Sequence, residues 1–148
     1  MKGKSLFALM LSVSLVIVSV STASCTGRAT ELGVQSRPSQ IIKDITPQQA
    51  YDLIGDNSEN PDFMIIDVRT SEEFTDGHLE NALNINLNSG TFSDDINKLD
   101  KDKTYLVYCR SGTRSAQAAT IMEDLGFREV YDMGGITDWT AEGFSVVK

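Results

Sequence analysis

Histidine occurs once and cysteine twice in the 148 residues of this chain. A metal site draws three or four ligands from closely spaced Cys and His, so these residue types are too sparse to build one, and no metal is expected. Two cysteines give no disulfide framework either. A Cys25–Cys109 bridge is open by count but opposed by position, since Cys25 closes an apolar N-terminal segment and Cys109 sits in a loop far along the chain. Basic residues are scarce, 13 against 21 acidic, for a net charge of −8. Lys2 and Lys4 are the only charged side chains in residues 1–24, so the remainder carries −10. A surface that acidic argues against nucleic acid as a partner. No apolar run reaches the roughly 20 residues that span a bilayer; the longest, Leu6 to Val20, falls short. No internal repeat is present, and nothing in the chain calls for an organic cofactor.

What is present suits one compact domain with a small extra: 41% of residues are hydrophobic and 23% charged. Gln40 to Lys43 reads as a short first strand. Thr46-Pro47-Gln48-Gln49 is a helix start, with Thr46 as N-cap, Pro47 at the first helical position and Gln49 closing a capping box. Ile45 and Ala50 are placed for a hydrophobic staple, and Gly55 is expected to stop the helix after Ile54. Phe63 to Val68 is an apolar run with Asp67 as its one polar residue, as suits a central strand covered on both faces. Thr70-Ser71-Glu72-Glu73 is a second capping box, opening a helix that ends near Asp76-Gly77. A third strand is expected over Ala82–Ile85, a helix over Ser93–Leu99 and a turn at Lys101–Lys103. A fourth strand follows over Tyr105–Tyr108, a helix over Ser115–Leu125 and a fifth strand over Val130–Met133. Gly134-Gly135 then turns into a short helix around Asp138-Trp139, broken by Gly143. Strands alternating with helices predict an α/β fold with a parallel sheet. Ligands of such sheets bind beyond the carboxyl ends of the strands, the edge where Cys109 falls.

The chain is organised around Cys109-Arg110-Ser111-Gly112-Thr113-Arg114-Ser115, which joins the fourth strand to its helix. Unpaired N–H groups and the helix dipole put partial positive charge at this position. Arg110 and Arg114 add full charges, and all of these favour thiolate over thiol. The loop N–H groups can also cradle an anion. A nucleophilic sulfur inside an anion cradle is therefore expected. The competing possibility is a buried structural cysteine that happens to end a strand. Beyond the loop, Ala118, Ile121, Met122 and Leu125 share one helix face, and Gly126 can close the helix with Phe127 folding back on Met122.

The N-terminus has the tripartite layout of an export signal: basic Met1–Lys4, apolar Leu6–Val20, and small Ser21–Ser24 before Cys25. It resembles a bacterial lipobox, in which the cysteine is lipidated and becomes the mature N-terminus. Thr22 stands where leucine is usual. The resemblance implies residues 1–24 as signal peptide, lipidation at Cys25, and a membrane tether without a spanning helix, facing the periplasm or cell exterior. Thr26 after the cysteine favours the outer membrane if the cell has one. Residues 25–39, polar with two glycines and a proline, read as a flexible tether. Residues 40–148 are then the folded domain.

Ile66-Asp67-Val68-Arg69, Glu73-Phe74, Gly77-His78-Leu79, Ala82, Asn84-Ile85, the Cys109–Ser115 loop, Gly134-Gly135 and Trp139 together resemble a single-domain rhodanese in order and spacing. The resemblance implies a three-layer fold: a five-stranded, mainly parallel sheet with helices on both faces. It also implies a sulfurtransferase in which Cys109 carries a persulfide. The chemistry agrees. Thiolate Cys109 would attack the outer sulfur of an anionic donor such as thiosulfate, sulfite would leave, and a thiol or cyanide would take the sulfur in a second step. Ser111, Gly112, Thr113 and Ser115 would line the cradle. Arg110, at the loop mouth, is the expected donor-anion contact. Arg114 could do the same, or pair with Glu73 and shape the loop. Asp67 and Arg69 could face the site, but hydrogen bonding to loop backbone and an ion-pair network are the expected roles. His78 and Trp139 are expected to be structural. Substrate preference is expected in surrounding loops such as Asn86–Phe92.

Two other functions compete. Cysteine phosphatases and arsenate reductases resemble Cys-x5-Arg, whereas four residues separate Cys109 from Arg114, a tighter loop that suits one sulfur atom. Some rhodanese-like domains are non-catalytic binding modules, but these generally lack the cysteine that is present here.

Overall fold

A computed structural model describes residues 39–148. The expected signal peptide, the lipidation site Cys25 and all but the last residue of the tether lie outside the described residues. Among the described residues five strands and five helices alternate: β1 (Ile41–Asp44), α1 (Pro47–Asp56), β2 (Phe63–Asp67), α2 (Ser71–Asp76), β3 (Ala82–Asn84), α3 (Phe92–Ile96), β4 (Thr104–Cys109), α4 (Thr113–Asp124), β5 (Glu129–Gly135) and α5 (Ile136–Ala141). The strands form one sheet in the order β1-β5-β4-β2-β3. Every neighbouring pair is parallel, so the sheet is wholly rather than mainly parallel.

The side-chain period of a strand sorts β4 onto two cores. Tyr105, Val107 and Cys109 pack with Ala118, Ala119 and Met122 of α4 and with Phe92 and Ile96 of α3. Leu106 and Tyr108 pack on the opposite face with Ala50 of α1 and with Ile136 and Trp139 of α5. Residues Tyr105 to Cys109 are therefore all buried. Each large apolar side chain removed from water in this way contributes about 1.5–3 kcal/mol.

Both capping boxes form. The Thr46 hydroxyl accepts from the Gln49 N–H at 3.2 Å and the Gln49 side chain accepts from the Thr46 N–H at 3.0 Å. Thr70 and Glu73 make the same exchange at 3.3 and 3.2 Å. The end of α1 differs from expectation, because the helix passes through Gly55 to Asp56. Gly55 does not take a positive φ there, and the stop comes from Asn57, whose side-chain amide donates to the Leu53 carbonyl at 2.9 Å. Likewise α3 is shorter than expected, and the Leu99 N–H to Ile96 carbonyl bond closes a turn where helix was anticipated. The C-terminus of α4 is a Schellman motif. The Phe127 N–H bonds the Met122 carbonyl, the Gly126 N–H bonds the Glu123 carbonyl, and Gly126 has φ +90°.

The largest departure concerns β5. Gly134 and Gly135 do not turn the chain out of the sheet; they are its last two strand residues. Val107 aligns with Asp132 and Tyr108 with Gly134, so Met133 is the extra residue of a β-bulge. Gly134 has φ +82°, and its N–H is held by the Asp132 carboxylate at 2.8 Å.

Candidate active site

The chain leaves β2 towards β3 on one side and leaves β4 towards β5 on the other. Adjacent parallel strands whose connections diverge open a crevice at their carboxyl ends. Cys109 is the last residue of β4, at that crevice, and its residue is only 1% exposed. Helix α4 begins at Thr113, two residues earlier than the apolar pattern implied, so Arg114 lies in its first turn.

The loop backbone folds around the sulfur. The Gly112 N–H points at Cys109 Sγ, with N···S 3.1 Å. Burial pushes the thiol pKa up. The N–H groups of Ser115, Ser111 and Gly112 and the Ser115 hydroxyl pull it down, and the sum lies below the ordinary value. The hydroxyl has one proton, which the Gly112 and Gly134 carbonyls share at 2.9 and 3.2 Å. The backbone donors stabilise a thiolate whichever way that proton turns.

The bulge in β5 makes room for this loop. A Cβ on Gly135 would stand 2.7 Å from the Arg110 carbonyl oxygen and 2.9 Å from Ser111 Cα. Gly112, with φ +97°, passes close over Gly134. Thr137, at the start of α5, holds the Arg110 carbonyl with its N–H at 3.3 Å and its hydroxyl at 2.9 Å. Reading the sequence for function did not single out Thr137 or Asp132. The paired glycines were the available signal, since glycine inside a strand marks close backbone approach.

The flanking residues resolve into two ion pairs. Arg114 meets Glu73 through two bonds, at 2.7 and 2.8 Å. Hydrogen bonding from Arg114 holds the Glu73 carboxyl down to about 2. Asp67 and Arg69 pair at 2.6 Å, and the Asp67 carboxylate also accepts the Arg69 N–H at 2.9 Å. Arg69 reaches on to the Gly77 carbonyl at 2.7 Å and lies over the Tyr108 ring. Burial first, then the neighbouring Asp67 carboxylate, raises the Tyr108 phenol far above its ordinary value, so it stays neutral. Its oxygen accepts the Leu79 N–H at 3.1 Å. Tyr108 belongs to the core on the face opposite Cys109, so this network is anchored on that face of the sheet.

His78 and Trp139 are built into the framework. His78 stacks on Phe74, its Nδ1 lies 2.9 Å from the Phe74 carbonyl, and its backbone bridges Val147. Trp139 is buried and donates to the Ser145 carbonyl at 3.0 Å.

A cleft of about 270 Å³ lies beside the loop, lined by Arg69, Glu73, Asp76, Arg110, Ile136 and Thr137. Its walls come from the residues around α2 and α5. The Asn86–Phe92 segment, where substrate preference was expected, lines a different hollow with Gln117 and Ile121. A larger hollow of about 360 Å³ holds Phe63 and Met64 at the start of β2, the sheet edge away from Cys109.

Residues 46–142 match the Rhodanese-like domain family. A putative sulfurtransferase, YtwF, of Bacillus subtilis is 34% identical over 101 residues, covering 68% of this chain and 93% of that protein. The thiosulfate sulfurtransferase GlpE of Coxiella burnetii is 33% identical over 102 residues, covering 68% of this chain and 90% of that protein. The crystal structure of a rhodanese-related protein from Thermoplasma volcanium superposes with a TM-score of 0.61 at 31% identity, covering 71% of this chain and 97% of that one.

Proposed function

The chain belongs to the family of rhodanese-like domains, whose matched relatives include named sulfurtransferases, and from that premise we propose that it moves a sulfane sulfur through a persulfide on Cys109. In the first half-reaction Sγ attacks the outer sulfur of a donor such as thiosulfate. The S–S bond breaks, its electron pair leaves with sulfite, and the new persulfide carries one negative charge. In the second, a thiolate or cyanide attacks the outer sulfur and the pair returns to Sγ. The single observation that carries this reading is the ring of N–H groups around a buried sulfur, with Gly112 at 3.1 Å. Such a ring stabilises the anion in the thiolate and persulfide states alike. Arg110 is exposed at the mouth, free to meet a donor anion. Arg114 is engaged by Glu73 and acts on the loop as a strut.

Intact-mass spectrometry tests this. Thiosulfate should add one sulfur atom to the wild-type protein, cyanide should remove it as thiocyanate, and Cys109→Ser should gain nothing. No gain on a folded protein with Cys109 free would sink thiosulfate as donor. Export and lipid anchoring at Cys25 belong to the same proposal and rest on residues 1–25 alone. Labelled palmitate should enter the wild-type chain in bacterial cells and not Cys25→Ser.

A further inference from the structure

The cleft beside the loop contains four charged side chains: Arg69, Glu73, Asp76 and Arg110. Two are already neutralised, Arg69 by Asp67 at 2.6 Å and Glu73 by Arg114 at 2.7 Å. Two remain. Arg110 and Asp76 are both exposed, and neither side chain has an ion-pair partner among the described residues. Asp76 is also placed against its own helix. It is the last residue of α2, at the negative end of the dipole, with no basic residue in the last turn. The local structure gains nothing from a carboxylate there.

One free cation and one free anion on the walls of a single small cleft define a ligand. An inorganic dianion engages Arg110 alone and leaves Asp76 unmatched. A zwitterion matches both walls. The cleft measures about 270 Å³, and a hollow of about 220 Å³ that shares Arg69, Glu73, Asp76, Ile136 and Thr137 with it extends the space. Ile136 supplies apolar surface to the same lining.

We propose that this cleft receives the sulfur acceptor, a small thiol carrying an α-amino-acid head group, with its ammonium on Asp76 and its carboxylate on Arg110. The proposal rests on the persulfide reading and adds the acceptor class to it. The acceptor thiol loses its proton to water, and the thiolate attacks the outer sulfur of the Cys109 persulfide. The bond from that sulfur to Sγ breaks, its pair returns to Sγ, and the acceptor leaves as a persulfide.

The test begins with full-length protein loaded with sulfur and verified by mass. Discharge is then followed with L-cysteine, with N-acetylcysteine, which lacks the ammonium, and with cysteamine, which lacks the carboxylate. Both groups are exposed, so each charge contact should lower the half-saturating concentration by about two- to fivefold. Asp76→Asn should therefore cut the preference for cysteine over N-acetylcysteine about two- to fivefold. Arg110→Gln should cut the preference for cysteine over cysteamine by a similar factor, again about two- to fivefold. Comparing each variant's ratio with the wild-type ratio cancels the differing intrinsic reactivity of the thiols. Wild-type ratios in both variants would overturn the acceptor assignment and leave the persulfide cycle standing. Failure of the wild-type protein to load sulfur at the first step would overturn both.

Discussion

Glu73 and Arg114, forty-one residues apart, meet in a two-bond ion pair that ties the start of α2 to the first turn of α4. Glu73 is held to about 2, below its ordinary range, so its contribution has a definite pH dependence. The folded pKa is depressed, so the stabilisation is fully present above the unfolded value near 4.3 and is lost as pH falls towards 2. The side chains are 23% and 26% exposed, which discounts the contribution to about 1–2 kcal/mol. Wild type should lose that much stability between pH 5 and 2 relative to Glu73→Gln, measured by urea denaturation at each pH. Arg114→Met alone should destabilise more than Glu73→Gln with Arg114→Met, because the single change strands a half-buried carboxylate.

Gly135 is the position where a methyl group is least tolerable. Its φ of −108° suits any residue, so the conflict is one of space: the added carbon would overlap the Arg110 carbonyl at 2.7 Å and crowd the Thr137 hydroxyl at 3.0 Å. Gly135→Ala should cost about 1–3 kcal/mol by overpacking and displace the loop that holds Sγ. Sulfur loading should fall by two orders of magnitude or more while the far-ultraviolet circular dichroism is kept, since about 1 Å of misplacement costs on the order of a hundredfold in rate. Gly55→Ala is the control. Nothing lies within 4 Å of that added carbon, and the residue is helical, so melting should show a gain of about 0.5–1 kcal/mol.

The element order and the reactive loop were legible because their signals are local. Thr46 and Gln49, or Thr70 and Glu73, specify a helix start within four residues, and the apolar run into Cys109 needs no knowledge of its neighbours. The loop was legible as a string but not as a support. Thr137 grips the Arg110 carbonyl across 27 residues, and no pattern near either residue announces it. Gly134-Gly135 was visible and misassigned: glycine pairs mark turns as readily as close approach, and only the register of β4 on β5 separates the two. Asp76 shows the same limit, since a carboxylate at a helix end looks like ordinary surface until it is found lining the same cleft as Arg110.

The Asp67–Arg69 pair predicts an asymmetry in stability. Asp67 is fully buried and Arg69 nearly so, and Arg69 also satisfies the Gly77 carbonyl. Arg69→Ala would leave a buried carboxylate without its cation, at a cost of about 3–5 kcal/mol. Asp67→Leu with Arg69→Met should recover much of that loss, because no charge is then left buried. Tyr108→Phe strands the buried Leu79 N–H and removes the hydroxyl beside the Asp67 carboxylate, and should cost about 1–3 kcal/mol. Urea midpoints of the four proteins would order the three costs, and a single Arg69→Ala milder than the double change would refute the account.

The pH dependence of Cys109 separates the two kinds of donor around its sulfur. Burial alone would hold the thiol above its ordinary value, yet the N–H groups and the Ser115 hydroxyl bring it below. The rate of alkylation by iodoacetamide should therefore rise with pH through an inflection below that of a free thiol. Ser115→Ala deletes the hydroxyl but keeps the Ser115, Ser111 and Gly112 N–H groups, so the inflection should move up without reaching the value of a buried, undonated thiol. Thr137→Val frees the Arg110 carbonyl from its 2.9 Å bond and loosens the loop without touching the sulfur. That variant should slow sulfur loading while leaving the alkylation inflection near its wild-type position. Should Ser115→Ala leave the inflection where it was, the thiolate is held by backbone alone, and the hydroxyl serves only the Gly112 and Gly134 carbonyls it already faces.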